Sequence, residues 1–191
     1  GFTVPEVAVA AITQAERDTK AAELLSAAGY GKDNPLSIEI LYNTSEGHKK
    51  IAIAISQMWK QKLGVEADMQ NQEWKTFLTT RGEGNYEVAR GGWCGDYNEA
   101  STFLDLVNTN SGYNDSKFSN EEVDQLLADS KTSDNPQPNY TRIEEIVADE
   151  APLISIYHYT SAMFLKLSVK GWPHENVEGN WYSRNLYKVA E

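Results

Sequence analysis

Residues 36–69 read LSIEILYNTSEGHKKIAIAISQMWKQKLGVEADM and decide the class of fold. Apolar and polar residues alternate over residues 36–42, which predicts a half-buried strand. Apolar residues then recur at helical spacing from Ile51 to Leu63, and Gly64 predicts the end of that helix. Residues 65–69 predict a second strand. A strand, a helix and a strand in succession are typical of a parallel crossover unit.

The same alternation of elements continues on both sides of this unit. Thr13 and Glu16 have the spacing of a capping box and predict a helix that ends at Gly29. A short helix is predicted around residues 74–78, and a third strand over residues 86–89. We therefore expect an α/β fold with a mixed or parallel sheet flanked by helices, after an arm formed by residues 1–12.

The second half of the chain predicts more helix than sheet. Ser119 and Glu122 suggest another capping box, and SDNPQP at residues 133–138 breaks the helix that follows. A further helix is predicted over residues 140–147, and the apolar run LISIYHY at residues 153–159 predicts a buried strand.

Composition excludes several classes of protein. The chain has 191 residues, which suits one α/β domain, and a formal net charge of −11. That charge, without any basic stripe, argues against nucleic-acid binding. The longest apolar run, Ile51 to Ile55, is too short to span a bilayer. Gly1 opens the sequence without a signal peptide, and the lone cysteine, taken alone, favours a reducing compartment.

Signatures of catalysis are weak. The three histidines show no metal-ligand spacing, and no phosphate-binding loop or serine-nucleophile motif is present, so neither a metal nor a cofactor is predicted. Cys94 follows a predicted strand and, with one of the histidines as base, would suit a hydrolase. The other interpretations of Cys94 are a small buried hydrophobe or half of a disulfide. Asp96 with Glu99 would suit acid–base chemistry, but acidic residues are abundant here.

A cluster of recognition residues stands out between positions 74 and 99. Aromatic rings, guanidinium groups and a carboxylate near strand ends suit a zwitterionic ligand, whose ammonium pairs with the aspartate and whose carboxylate pairs with an arginine. The alternative is a set of core aromatics and an ordinary surface ion pair. The cluster comprises Trp74, Arg81, Arg90, Trp93, Asp96, Tyr97 and Glu99.

The segment RGGWCGDYNE at residues 90–99 resembles a motif of the periplasmic oligopeptide-binding proteins, the substrate-binding subunits of ABC-type peptide importers. Residues 12–65 and 71–90 resemble the same family in order and spacing. The resemblance implies non-enzymatic capture of short peptides by two closing lobes, delivered to permease subunits by a monomer that does not span the membrane. Residues 1–165 would be the C-terminal lobe, and residues 166–191 a tail that returns to the first lobe.

The resemblance also assigns roles to single residues. It pairs Cys94 with a cysteine earlier in the parent chain, which replaces the reducing-compartment inference by a periplasmic location, or a lipid-anchored extracellular one in a Gram-positive source. Asp96 would bind the peptide's α-amino group. The peptide's carboxylate would be neutralised by Arg81, Arg90 or His48, and side-chain pockets would be lined by Trp74, Trp93 and Tyr159.

Other functions stay open beside this interpretation. They are a binding protein for another ligand (a dipeptide, a murein peptide, a metal chelate or haem), a module that has lost its ligand, and the Cys94 hydrolase.

Overall fold

Three parallel strands form the sheet at the centre of the first half of the chain. The computed structural model describes residues 7–160, 162–174 and 179–190. Strand β1 (Ser37–Asn43) lies between β2 (Glu66–Gln72) and β3 (Val88–Ala89), and both neighbours run parallel to it. The predicted α/β class with a parallel sheet is therefore confirmed.

Helices connect the strands, as parallel pairing requires. Helix α3 (Glu46–Leu63) links β1 to β2, and α4 (Trp74–Gly82) links β2 to β3. Gly64 ends α3 in the left-handed region with φ 70°, which a residue with a side chain rarely adopts. The apolar face of α3 packs on β1, and Trp59 is partly buried there, as its position on that face predicts.

Two further helices precede the sheet. Helix α1 (Ala8–Ala11) is short, and α2 (Gln14–Ala27) begins at Thr13 with the predicted capping box. The Thr13 side chain accepts from the Glu16 N–H, and the Glu16 carboxylate accepts from the Thr13 N–H at 2.8 Å. Residues 1–6 of the predicted arm lie outside the described residues.

A second core forms after the sheet from packed helices. These are α5 (Ser101–Leu104) with a 3₁₀ turn (Asp105–Val107), α6 (Glu121–Ser130) and α7 (Gln137–Glu150). The helical spacing of apolar residues in the sequence predicts the buried faces of these helices. Their core residues are Leu104, Val107, Val123, Leu127, Tyr140, Ile143 and Ile146.

The predicted capping box at Ser119 and Glu122 is wrong by one residue. Helix α6 begins after Asn120, whose side-chain oxygen accepts from the Val123 N–H at 3.1 Å. Asparagine caps a helix as well as serine does, so the two neighbouring positions compete and the sequence alone does not rank them.

The predicted buried strand at residues 153–159 is also wrong. The segment has no strand structure, and Ile154, Ile156 and Tyr159 are 68%, 61% and 56% exposed. An apolar run forms a buried strand only where another strand offers backbone partners and a second surface covers its side chains. Among the described residues no strand pairs with this segment, and most of its side chains are left uncovered.

The last described residues form a small hairpin-like unit. Strand β4 (Val169–Lys170) pairs antiparallel with β5 (Tyr187–Lys188), and the rings of Trp172 and Trp181 lie 5.4 Å apart. Within the described ranges, no helix has both the length and the apolar character needed to cross a membrane. The division at residue 165 between lobe and tail stays a prediction.

Candidate functional site

The carboxyl edge of the sheet gathers residues from all three strand ends. His48 follows β1, Trp74 follows β2 and Arg90 follows β3. Because the strands are parallel, these ends meet at one edge. In the order β2-β1-β3 the chain passes to one side of β1 and then to the other, and open α/β proteins bind ligands at the carboxyl edge of such sheets.

Local structure fixes each of these three residues. His48 lies in the first turn of α3, which begins at Glu46. Trp74 is the first residue of α4, where the side chain of Glu73 caps the helix by accepting from Lys75 N–H at 2.9 Å. The Arg90 N–H donates to the Leu41 carbonyl at 2.8 Å and so extends the ladder between β1 and β3 by one step.

We define the Arg90 cluster as His48, Arg90, Tyr157 and Tyr159. The Arg90 guanidinium donates to the Tyr159 hydroxyl and lies 6.0 Å from the centre of its ring. The rings of Tyr157 and Tyr159 are 5.0 Å apart, edge to face. A Cβ at Gly92 would lie 3.0 Å from the Arg90 Nη2, so a glycine there leaves room for the guanidinium.

Ionisation in the Arg90 cluster follows from one positive charge without a carboxylate partner. Burial lowers the pKa of His48, the charge of Arg90 lowers it further, and the backbone of Asn43 opposes the shift. A hydrogen bond from Tyr157 lowers the pKa of Tyr159, as does Arg90, against the effect of burial. The lowered pKa of His48 favours a neutral imidazole beside the Arg90 guanidinium.

We define the Arg81 cluster as Trp74, Phe77, Arg81 and Asp115. The Arg81 Nε lies 2.6 Å from the Asp115 Oδ2, and the two side chains are only 17% and 24% exposed. The Arg81 guanidinium also lies 5.4 Å from the centre of the buried Phe77 ring, which stacks at 5.9 Å on Trp74. Unlike Arg90, Arg81 therefore has a carboxylate partner within the chain.

The segment after Arg90 places Trp93 and Cys94 differently. Trp93 is partly buried, and its ring lies 4.7 Å from that of Tyr113. Cys94 is an exposed free thiol, so the interpretation of Cys94 as a small buried hydrophobe is wrong. Its predicted disulfide partner is not in this sequence, since Cys94 is the one cysteine.

Asp96 presents an exposed carboxylate on a fixed backbone. Its N–H donates to the Thr102 Oγ1 at 3.0 Å, and Gly95 packs so tightly that a Cβ there would lie 3.2 Å from the Thr102 methyl. No described residue donates a hydrogen bond to the Asp96 carboxylate or forms an ion pair with it. The Asp96 carboxylate is thus unpaired among the described residues and open to a ligand.

Glu99 behaves in the opposite way. Burial acts to raise the pKa of Glu99, but hydrogen bonds from Ser101 and Tyr140 outweigh it and lower the pKa. The Ser101 N–H donates to the Glu99 carboxylate at 2.8 Å. Glu99 therefore anchors the start of α5, and the proposed acid–base pair with Asp96 loses one of its members to this internal role.

Sequence reasoning missed Asp115, Tyr113 and Tyr157. Tyr157 lies in the same apolar run as Tyr159, two positions earlier, so the alternation of that run was a usable signal. Asp115 is separated from Arg81 by 34 positions, and nothing in the pattern of either segment pairs them.

Comparison with known proteins identifies related sequences over the whole chain. The profile of the family described as bacterial extracellular solute-binding proteins, family 5 middle, matches residues 3–115. The chain is 44% identical over 192 aligned residues to the periplasmic murein peptide-binding protein MppA of Escherichia coli, covering 99% of this chain and 36% of the relative. It is 40% identical to the periplasmic oligopeptide-binding protein OppA of the same organism, covering 99% of this chain and 37% of the relative.

Solved structures agree with this relationship. The structure of Escherichia coli MppA matches with a TM-score of 0.91 and 44% identity, covering 100% of this chain and 38% of that chain. The structure of Haemophilus influenzae OppA in complex with RPPGFSPFR matches with a TM-score of 0.86 and 38% identity, covering 99% and 37%. The chain thus spans little more than a third of the length of these relatives.

Proposed function

The chain belongs to the bacterial extracellular solute-binding proteins of family 5, and from this premise we propose that it forms one lobe of a protein that captures short peptides for an ABC importer. The family consists of binding proteins. The names of the relatives with 44% and 40% identity, a murein peptide-binding and an oligopeptide-binding protein, support a peptide as the ligand. Both are periplasmic, which supports a periplasmic or extracellular location here.

The observation that carries the proposal is a pair of opposite charges that the described residues leave unpaired, Arg90 at the sheet edge and Asp96 in the segment that follows it. The Asp96 carboxylate has no cationic partner among the described residues, and Arg90 has a tyrosine hydroxyl rather than a carboxylate as its described partner. A zwitterion with a separated ammonium and carboxylate satisfies both charges at once. A neutral or singly charged ligand leaves one of them desolvated and unpaired when the site closes, which is costly.

The roles of the termini follow from this arrangement. Asp96 binds the α-amino group of the peptide, and Arg90, with His48 beside it, binds the carboxylate. These groups are common to all peptides, so contacts directed at them give affinity without selecting a sequence.

The aromatic residues supply side-chain pockets. Trp74 and Tyr159 are 48% and 56% exposed, so each has ring surface free for a ligand. Trp93, packed on Tyr113, supplies a third, partly buried ring. Water in such pockets completes hydrogen bonds for varied side chains, which keeps the site tolerant.

Binding rather than catalysis is also supported by the surroundings of Cys94. No described histidine donates or accepts a hydrogen bond with its thiol, as an activated nucleophile requires. Delivery to permease subunits, a monomeric state and the absence of enzymatic activity are parts of the same proposal, because they are properties of the whole protein.

Calorimetric titration of the full-length protein with trialanine, N-acetyl-trialanine and trialanine amide tests the proposal. We expect each blocked end to weaken binding by about 1–3 kcal/mol, the cost of leaving a charged partner without its hydrogen bonds. Equal affinities for free and blocked peptides would mean that the termini are not read. An absence of binding by peptides of three to five residues would refute peptide capture.

A further inference from the structure

The Arg81–Asp115 pair is built firmly into the fold. The ion pair of 2.6 Å is largely buried, with 17% and 24% of the two side chains exposed. The Asp115 carbonyl also accepts from the Tyr86 hydroxyl at 3.0 Å. Two elements, α4 and the segment before β3, therefore hold the aspartate in place.

The loop around Asp115 has its own supports. The Asn114 side chain donates to the carbonyls of Asn108 and Phe118 at 3.1 and 2.7 Å, which closes the loop on itself. Lys117 adopts a positive φ of 57° and donates from its Nζ to the Gly82 carbonyl at 2.6 Å. These contacts fix the loop against the end of α4, so that the Asp115 carboxylate stays at the guanidinium.

Each member of the pair has a tryptophan of the candidate site in its neighbourhood. Phe77 contacts both Arg81 and Trp74, at 5.4 and 5.9 Å. Tyr113 contacts Trp93 at 4.7 Å and lies two residues from Asp115. The Arg81 guanidinium is linked to the Trp74 ring through Phe77, so its charge acts on a ligand at that ring with partial screening, since the Debye length is roughly 8–10 Å at physiological salt.

Charge balance then depends on Asp115. With Asp115 present, Arg81 contributes no net charge, and the site offers one negative group, Asp96, and one unneutralised positive group, Arg90. That balance matches a peptide with two charged termini and uncharged side chains. Without the Asp115 charge, a second guanidinium would be left for a second carboxylate.

We propose that Asp115 is a specificity-determining residue: its carboxylate occupies Arg81 in place of a ligand carboxylate, and so biases the site against peptides that carry an additional acidic group. This inference rests on the proposed function and names the ligand class of that site. Arg81, which the family resemblance assigns to the ligand carboxylate, acts in this chain through its internal partner.

The test compares acidic and neutral peptides of equal shape. The full-length protein is titrated with trialanine and with tripeptides that carry Glu or Gln at each of the three positions. For Asp115→Asn we expect the Glu-to-Gln affinity ratio, at the best position, to rise by roughly fivefold to twentyfold, the scale of one partly screened charge pair. Asp134→Asn is the matched control, because it removes the same charge from an exposed loop residue.

Two more variants separate recognition from a purely structural role. In the double variant Arg81→Gln with Asp115→Asn, the ratio returns to the wild-type value, because both charges are gone. Arg81→Gln alone leaves the Asp115 carboxylate uncompensated, so the ratio falls below that of the wild type. This variant decides the question if Asp115→Asn does not fold, as judged by thermal unfolding.

The possible results separate a failure of the inference about Asp115 from a failure of the proposed function. An unchanged Glu-to-Gln ratio in Asp115→Asn, with trialanine binding intact, overturns the inference alone. A shift of equal size in Asp134→Asn also overturns it, since the effect would then reflect net charge. Failure of the wild type to bind any of these peptides overturns the proposed function, and the inference with it.

Discussion

The Arg81 cluster and the Arg90 cluster use the same residue type for different purposes. In the Arg81 cluster the guanidinium meets a carboxylate at 2.6 Å, and both side chains are mostly buried. In the Arg90 cluster the guanidinium meets a tyrosine hydroxyl and a lowered-pKa histidine instead. One arginine completes the fold, and the other keeps its charge for a partner that the described residues do not contain.

The difference shows that a residue's role is set by what neutralises it. Both arginines occupy positions predicted to bind a carboxylate, and both lie beside an aromatic ring, the buried Phe77 for Arg81 and the exposed Tyr159 for Arg90. The two arginines differ in role because Asp115, in a loop further along the chain, pairs with Arg81. The comparison therefore predicts that removing Arg90 weakens binding and that removing Arg81 weakens folding.

The largest effect is expected for Arg90→Gln. Loss of this guanidinium leaves the ligand carboxylate buried without its charged partner, and we expect trialanine affinity to fall by about 2–3 kcal/mol. The temperature of unfolding should change little, because Arg90 takes part in no ion pair among the described residues. Calorimetry and thermal unfolding of the full-length protein measure the two effects.

The control for Arg90→Gln is Arg142→Gln. This arginine pairs with Glu122 on the helix surface with about half of its side chain exposed, at 47%. The variant removes the same charge at a residue outside the Arg81 and Arg90 clusters. Equal losses of affinity in the two variants would remove the special role of Arg90.

A smaller effect, on folding, is expected for Arg81→Gln. The Asp115 carboxylate would remain mostly buried without its partner, and we expect the free energy of unfolding to fall by about 2 kcal/mol, less than for a fully buried pair because of the partial exposure. Chemical denaturation measures the change. The double variant with Asp115→Asn should recover part of the loss; no recovery would mean that the two side chains act independently.

The smallest effect concerns pH. The pKa of His48 lies below its ordinary value in the folded chain, mainly through burial and then through the charge of Arg90. Between the lowered pKa and the ordinary one, the unfolded chain therefore binds more protons than the folded chain. The free energy of unfolding rises with pH in that range. The stability that the neutral His48 contributes is complete above the ordinary histidine pKa, about 6.5, and is lost as the pH falls through the lowered pKa.

His48→Gln should therefore flatten the rise of the unfolding temperature between about pH 5 and pH 7, where an ordinary histidine titrates. The exposed His158 provides the matched control as His158→Gln. If the slope is the same in His48→Gln as in the wild type, folding does not lower the pKa of His48 as described.

Local patterns explain why most of the fold could be predicted. The capping box at Thr13, the helix ending at Gly64 and the strand at residues 36–42 each depend on neighbours within a few positions. The placement of His48, Trp74 and Arg90 at one edge also follows from their positions after parallel strands. Such features need no knowledge of distant contacts.

Two features could not be predicted for the opposite reason. Residues 153–159 carry the composition of a buried strand, but burial depends on a second surface, and composition does not reveal whether one is near. The partner of Arg81 lies 34 positions away in a loop without periodicity. Long-range pairing of this kind depends on the whole fold, so the difference between the two arginines emerges only from the structure.

The central claim is that Asp96 binds the α-amino group of a peptide, and a thermodynamic cycle tests it most directly. Trialanine and N-acetyl-trialanine are titrated into the full-length wild type and Asp96→Asn, with Asp134→Asn as the charge control. We predict that Asp96→Asn weakens trialanine binding by about 1–3 kcal/mol and that acetylation costs little further in this variant, because the two changes remove one interaction. Additive losses, or unchanged binding by Asp96→Asn, would contradict the account.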